Sequence, residues 1–164
     1  MTFFDLLHMF FSGTNLALIG AALAVILPCI GSAKGVGMVG EATAGVIAED
    51  PTKFGKALIL QALPGTQGIY GVVIAFLIMV KTGFLSGGMA DLSVAEGLYY
   101  LAAGIPIGVV GFLSGIGQGR AAASALQLMA KRQDQMAKGI IYTVMVETYA
   151  ILAFVVSILI WLRV

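Results

Sequence analysis

From residue 139 to residue 162 the chain carries a single formal charge, Glu147, in an otherwise uncharged run. Three further runs, residues 6–33, 57–80 and 97–119, carry no acidic residue, lysine or arginine. A hydrocarbon core about 30 Å thick needs about 20 helical residues at ~1.5 Å rise each. Each run is therefore long enough to span it. Inside lipid the backbone must satisfy its own hydrogen bonds, so spans of this kind are helices. The composition agrees: 60% of the 164 residues are hydrophobic and 10% charged, against roughly 25% charged in soluble domains. A soluble fold of this size leaves too much surface wet to use so much apolar material. The predicted class is an all-α integral membrane protein with four transmembrane helices. A net charge of +1 gives no sign of a nucleic-acid partner. Cys29 and His8 stand alone and support neither a disulfide framework nor a metal cluster. The opening "MTFFDLLHMFFSG" has Asp5 where a signal peptide carries basic residues. It is expected to be the retained beginning of the first helix.

Lysine and arginine set the expected orientation. Lys34, Lys53, Lys56, Arg120, Lys131, Arg132 and Lys138 surround the connections between helices 1 and 2 and between helices 3 and 4; only Lys81 and Arg163 lie at the opposite ends. The positive-inside rule places those two connections in the cytoplasm. Both termini and the 2/3 loop then face outside, in a multi-pass protein of the cell membrane.

The chain also repeats. "IGSAKG" at 30–35 resembles "IGQGRA" at 116–121, and "FGKALI" at 54–59 resembles "MAKGII" at 136–141. The offsets are 86 and 82, so the second cytoplasmic connection is shorter by four residues. Two duplicated helical hairpins follow, residues 1–82 without a carboxylate and 83–164 carrying Glu147. At these offsets Glu147 corresponds to Gly65 and Gln118 to Ser32. The unit is four helices per carboxylate.

Helix 3 carries Gly104, Gly108, Gly111, Gly115 and Gly119; helix 1 carries Ala17, Ala21, Ala24, Pro28, Gly31 and Gly35. Small residues at helical spacing let membrane helices approach closely. Helices 2 and 4 are bulkier. Helices 1 and 3 inside, with 2 and 4 toward lipid, give a unit whose copies close into a homo-oligomeric ring by a head-to-tail interface. Ordinary packing within one chain accounts for the stripe equally well.

An ionisable residue within a span is expensive and points to function. Gln133 marks the 3/4 turn, with Gln118 before it and Glu147 after it at nearly equal separations. At ~1.5 Å rise per residue both sit about 21–22 Å from the turn. Counted in the same way from Pro51, the 1/2 turn, Thr66 and Gln67 reach the same level. In "LPGTQGIY", Leu63, Thr66, Gln67 and Tyr70 share one helix face. Pro64 removes a backbone donor and frees a carbonyl near Gln61 or Leu60, and the distortion can expose others, that of Leu63 included. Carboxylate, amide, hydroxyl and backbone oxygens suit a hard cation, and one negative charge suits a monovalent one. Taken singly, a glutamine or threonine here needs no more than an interhelical hydrogen bond of about 0.6–2 kcal/mol. "GVGMVG" at 35–40 follows no strand, and no G-x-x-x-x-G-K-[ST] is present, so no nucleotide site is expected on this chain.

With the duplicated hairpin, "LPGTQGIYG" and "MVETYAIL", the chain resembles the proteolipid (K or c) subunits of V-type ATPases, sodium-translocating bacterial type. The resemblance covers roughly residues 20–162. It implies a rotor ring of identical subunits, a stator subunit with an arginine, and central-stalk subunits on the cytoplasmic loops. ATP hydrolysis then belongs to other subunits. It also implies Na+ binding by Leu63 (backbone carbonyl), Thr66, Gln67, Gln118 and Glu147, with Tyr70 holding Glu147 in place. A proton-carrying ring needs only Glu147 and one acceptor, so H+ is the alternative cargo. A small multidrug exporter explains a membrane glutamate but not the duplication. A purely structural pore former leaves Glu147 without a role.

Overall fold

The computed structural model describes residues 2–88 and 90–164. Six α-helices make up the described fold: α1 (Phe3–Phe10), α2 (Gly13–Glu49), α3 (Phe54–Ala62), α4 (Thr66–Lys81), α5 (Val94–Lys131) and α6 (Met136–Trp161). Helices α3 and α4 are two halves of one rod, joined by a tighter turn at Leu63–Gly65. Four rods long and apolar enough to cross a membrane result.

The first span is shorter at its start than expected. The opening residues do not begin it but form the separate helix α1. Thr2 and Asp5 close a capping box at its N-terminus, and Phe11 caps its other end. Ser12 then starts α2 afresh, its hydroxyl accepting from the Asn15 N–H at 3.3 Å. The break has a local cause: a serine hydroxyl satisfies one of the four N–H groups that a new helix start leaves without partners.

Helices α2 and α5 are the long members, with 37 and 38 residues. At ~1.5 Å per residue they measure about 55 Å, well beyond the bilayer core. They run parallel in tight register. Gly13 meets Gly97, Gly20 meets Gly104, Gly31 meets Gly115 and Gly35 meets Gly119. A Cβ on Gly104 would lie 2.1 Å from the Gly20 carbonyl oxygen, so only glycine fits. The small-residue stripe is thus used inside one chain.

The ends of the rods are tied by long side chains. Lys53 Nζ donates to the Ala130 carbonyl at 3.0 Å and Lys56 Nζ to Gln133 Oε1 at 3.0 Å, joining the two basic turns. Asp50 pairs with Lys53 at 3.4 Å. Hydrogen bonds from Thr52 hold its carboxyl below the ordinary range. At the other end Lys81 Nζ lies 4.9 Å from the Trp161 ring centroid, and Trp161 Nε1 donates to the Leu77 carbonyl at 3.2 Å. Gly83 and Gly87 turn the α4–α5 connection with φ of +74° and +76°, a region that glycine occupies at least cost. Many large apolar side chains are left exposed along the rods, among them Ile69, Phe76, Leu113 and Met145. That is an outer surface suited to lipid and to like surfaces.

Candidate ion-binding site

Three rods bring the site together: α4 supplies Thr66, Gln67 and Tyr70, α5 supplies Gln118, and α6 supplies Glu147. The register between α2 and α5 fixes the height of Gln118, and the two basic turns fix α4 and α6 beside it. The equal distances counted from the turns become direct contacts. Glu147 Oε2 accepts from Gln118 Nε2 at 3.3 Å, and Glu147 Oε1 accepts from the Tyr70 hydroxyl at 2.5 Å. Gln67 Nε2 in turn donates to Gln118 Oε1 at 2.5 Å. The Tyr70 ring is held by Phe154, their centroids 5.3 Å apart. Glu147 is 7% exposed, and Gln67 and Gln118 are fully buried.

Leu63 and Thr66 sit at the joint between α3 and α4. Pro64 has no N–H to give the preceding turn, and the backbone tightens there instead of continuing the α-helix. The Leu63 carbonyl accepts from both the N–H and the hydroxyl of Thr66, the latter at 3.1 Å. Four of the six expected residues therefore form one hydrogen-bonded chain. The other two are bonded to each other, one helical turn from Tyr70.

Sequence reasoning missed Ser114. Its hydroxyl accepts from Gln67 Nε2 at 3.2 Å and donates to the Val146 carbonyl at 3.0 Å. It stands one turn before Gln118 on the same helix, and that i−4 spacing was the available signal. Ser32, the first-hairpin counterpart of Gln118, accepts from the Gly68 N–H at 3.0 Å and helps seat the start of α4.

One atom in the cluster is unserved. Gln67 Oε1 is buried and has no hydrogen-bond partner, although the amide nitrogen of the same group has two. A buried acceptor left unmet costs about 1–3 kcal/mol. It is the kind of atom a cation satisfies. The hydrogen-bonded cluster that holds it also contains one carboxylate and several neutral oxygens, a hard donor set of low charge. Among the described residues no three His, Cys, Asp or Glu side chains gather into a metal-binding group.

Comparison with known proteins gives a consistent grouping. The family model of the ATP synthase C subunit matches twice, over residues 19–78 and 101–160. Over 151 residues the chain is 53% identical to the V-type sodium ATPase subunit K of Enterococcus hirae, covering 92% of this chain and 93% of that one. It is 40% identical over 144 residues to the A-type ATP synthase subunit K of Methanocaldococcus jannaschii, covering 88% of this chain and 60% of the other. The V-type proton ATPase 16 kDa proteolipid subunit of Chrysotila carterae is 33% identical over 92 residues, 56% of this chain and 56% of that protein.

Proposed function

Because the chain belongs to the ATP synthase C subunit family, we propose that it is the rotor-ring subunit of a V-type ATPase and that Glu147 carries Na+ across the membrane. ATP hydrolysis is the work of other subunits. The observation that carries the choice of ion is the unpartnered Gln67 Oε1, on a side chain linked to the buried carboxylate through Gln118. A proton would neutralise Glu147 and leave that oxygen unmet; a metal cation serves both.

The proposed ligands are Glu147, Gln67, Gln118, Thr66 and the Leu63 carbonyl. Gln118 Oε1 accepts from Gln67 and keeps a second lone pair for the ion. The Leu63 carbonyl becomes free when the Thr66 hydroxyl turns away from it. That exchange gives up one neutral hydrogen bond, about 0.5–1.5 kcal/mol. Tyr70 is not a ligand. It holds one carboxylate oxygen so that the other faces the ion.

The cycle follows from electrostatics. With Na+ bound the site is neutral and passes lipid as the ring turns. An empty ionised Glu147 in lipid costs several kcal/mol. Release is therefore confined to the interface with a stator subunit, where an arginine of that subunit pairs with the carboxylate. The same penalty prevents empty sites from slipping round. The two basic turns face the cytoplasm in this reading, where central-stalk subunits seat on them. The extra length of α2 and α5 supports it, because about 20 residues span the core and the remainder projects at the end rich in lysine and arginine.

Glu147→Gln tests the assignment. The variant keeps volume and removes the alternating charge. In vesicles carrying the complete ATPase, ATP-driven uptake of radioactive sodium is expected to be lost while the ring still assembles. Uptake at the wild-type rate would remove Glu147 from the transport path.

A further inference from the structure

The uncharged stretch of α2 from Gly13 to Ala33 rises about 30 Å, the thickness of the hydrocarbon core. Ser12 therefore sits at the edge of the core, at the end opposite the two basic turns. Other residues mark the same level. Glu96 stands next to Gly97, which meets Gly13. Lys81 lies over the Trp161 ring at this end, and tryptophan is enriched at membrane boundaries. The chain changes direction at Ser12, which is extended with φ −62° and ψ 149°. Asn15 Nδ2 donates to the Met9 carbonyl at 2.6 Å and holds the bend. What precedes the bend is α1, about 12 Å long at ~1.5 Å per residue. Phe3, Phe4, Leu6, Leu7, Phe10 and the capping Phe11 fall within an arc of about 160° at ~100° per residue, and Asp5, His8 and Met9 make up the other side. No residue of α1 is buried, and Phe3 and Phe4 are each 71% exposed. Even the flank nearest the body, Phe4, Leu7 and Phe11, only lines an open hollow beside Val94.

We propose that α1 is an interfacial anchor: it lies flat in the headgroup region of the leaflet opposite the basic turns, with Phe3, Leu6 and Phe10 toward the acyl chains and Asp5 and His8 toward water. The level of Ser12 is the argument for lipid as the occupant. The headgroup region is roughly 5–7 Å deep on each side of the core. An upright α1 would carry Phe3 and Phe4 through it into water, whereas a flat one keeps every aromatic ring at the boundary. The sorting of the two sides agrees, because an amphipathic helix in this position buries its apolar face about 5–10 Å into the boundary between headgroups and acyl chains. The apolar face is also continuous with the membrane span that begins at Gly13. No lysine or arginine lies on α1. The lipid it recognises is therefore the zwitterionic boundary itself, not a cluster of anionic headgroups. The consequence for the fold is local. Gly13 meets Gly97 directly after the bend, so an anchor at α1 holds both long helices at one depth. The inference goes beyond the rotor reading and does not depend on it.

Fluorescence quenching tests the placement in the whole chain with Cys29→Ser, reconstituted into phosphatidylcholine vesicles. Phe10→Cys and His8→Cys, each labelled with bimane, report the two sides of α1. Aqueous iodide is expected to quench the label at position 10 about threefold less than the label at position 8, since the apolar face sits ~5–10 Å below the polar surface. A phosphatidylcholine spin-labelled near the headgroup end of its acyl chain is expected to quench position 10 more than position 8. Equal quenching of the two by iodide overturns the inference and puts α1 in water. A label at position 10 that neither iodide nor the spin-labelled lipid reaches also overturns it, and makes a protein surface, a second copy included, the occupant. Lipid quenching that appears only when anionic lipid is added contradicts the chemistry assigned to the face. The unaltered protein gives a measure that needs no variant. A lipid-dissolved aryl diazirine, activated by light, is expected to modify Phe3 and Phe10 and to spare Asp5 and His8, read by mass spectrometry of the peptides. Absence of label on both phenylalanines, with label present on the spans, overturns the placement. Each of these failures leaves the assignment of Glu147 untouched, because sodium uptake is not the readout.

Discussion

Replacing Gly104 by alanine is expected to drive α2 and α5 apart. The added Cβ would lie 2.1 Å from the Gly20 carbonyl oxygen and 2.8 Å from its carbon, where ordinary contact begins at 3.4 Å. The oxygen would have to retreat by more than an ångström, and a Cβ has no rotamer by which to escape. Both helices are long rods, so the strain spreads to the neighbouring contacts of Gly13 with Gly97 and Gly31 with Gly115. A gap of about 0.5–1 Å forfeits about a quarter to a half of each van der Waals contact. Overpacking of this kind costs about 1–3 kcal/mol. Alanine returns up to about 1 kcal/mol through its better helix propensity. With the full return the net loss is then up to about 2 kcal/mol. Gly45→Ala is the control: it lies on α2 with nothing within 4 Å of its Cβ, so only the propensity gain remains. Thermal unfolding of the purified protein in detergent, followed through Trp161 fluorescence, reads the difference. Gly104→Ala should melt below the wild type and Gly45→Ala at or above it. Equal melting temperatures for the two variants would refute the close approach of α2 and α5.

Three changes at the site follow from its hydrogen bonds. Gln118→Ile should preserve Glu147 but weaken Na+ binding by about tenfold or more, roughly the effect of ~1.4 kcal/mol, read as the sodium concentration that half-protects Glu147 from chemical labelling. Tyr70→Phe should also weaken binding, by about tenfold to a hundredfold, because a hydrogen bond to an ionised group contributes about 1.5–3 kcal/mol. Its melting temperature should fall as well, by no more than the loss of that hydrogen bond, since the stacking on Phe154 survives. Ser114→Ala should lower stability by about 1 kcal/mol, measured by the same melting experiment, and should reduce sodium affinity less than Gln118→Ile does.

The four spans were legible because lipid imposes a minimum length and forbids charge, and both constraints appear directly in residue order. The level of the site was legible for a related reason. Helical rise is constant, so counting from Gln133 and Pro51 placed Gln118, Glu147, Thr66 and Gln67 together before any contact was known. The tight turn at Leu63–Gly65 could be expected from Pro64. The break at Ser12 was harder to see, because Ser12, Thr14 and Asn15 lie inside a run without acidic residues, lysine or arginine, and the continuous uncharged pattern hid a capping serine. The destination of the glycine stripe was not legible at all. Spacing shows that a helix face is small but not which helix it meets, and Gly104 lies against Gly20 of its own chain. Ser114 escaped notice because a serine among glycines and alanines reads as one more small residue. Its importance lies in two partners on other helices, Gln67 and the Val146 carbonyl.

The central claim is that Glu147 binds Na+ in competition with a proton, and labelling that carboxyl tests it most directly. A hydrophobic carbodiimide reacts with a protonated carboxyl group in lipid, so it should modify Glu147 and none of the other seven acidic residues, all of which lie outside the four uncharged runs. Na+ should slow the reaction by displacing the proton. Because the ligand must be deprotonated to bind metal, raising the pH should lower the sodium concentration needed for half-protection. Li+ should protect as well, and K+ poorly, at the same ionic strength. Labelling of Glu147 that proceeds at one rate with and without Na+, at constant pH and ionic strength, would contradict the account and make the site a proton carrier.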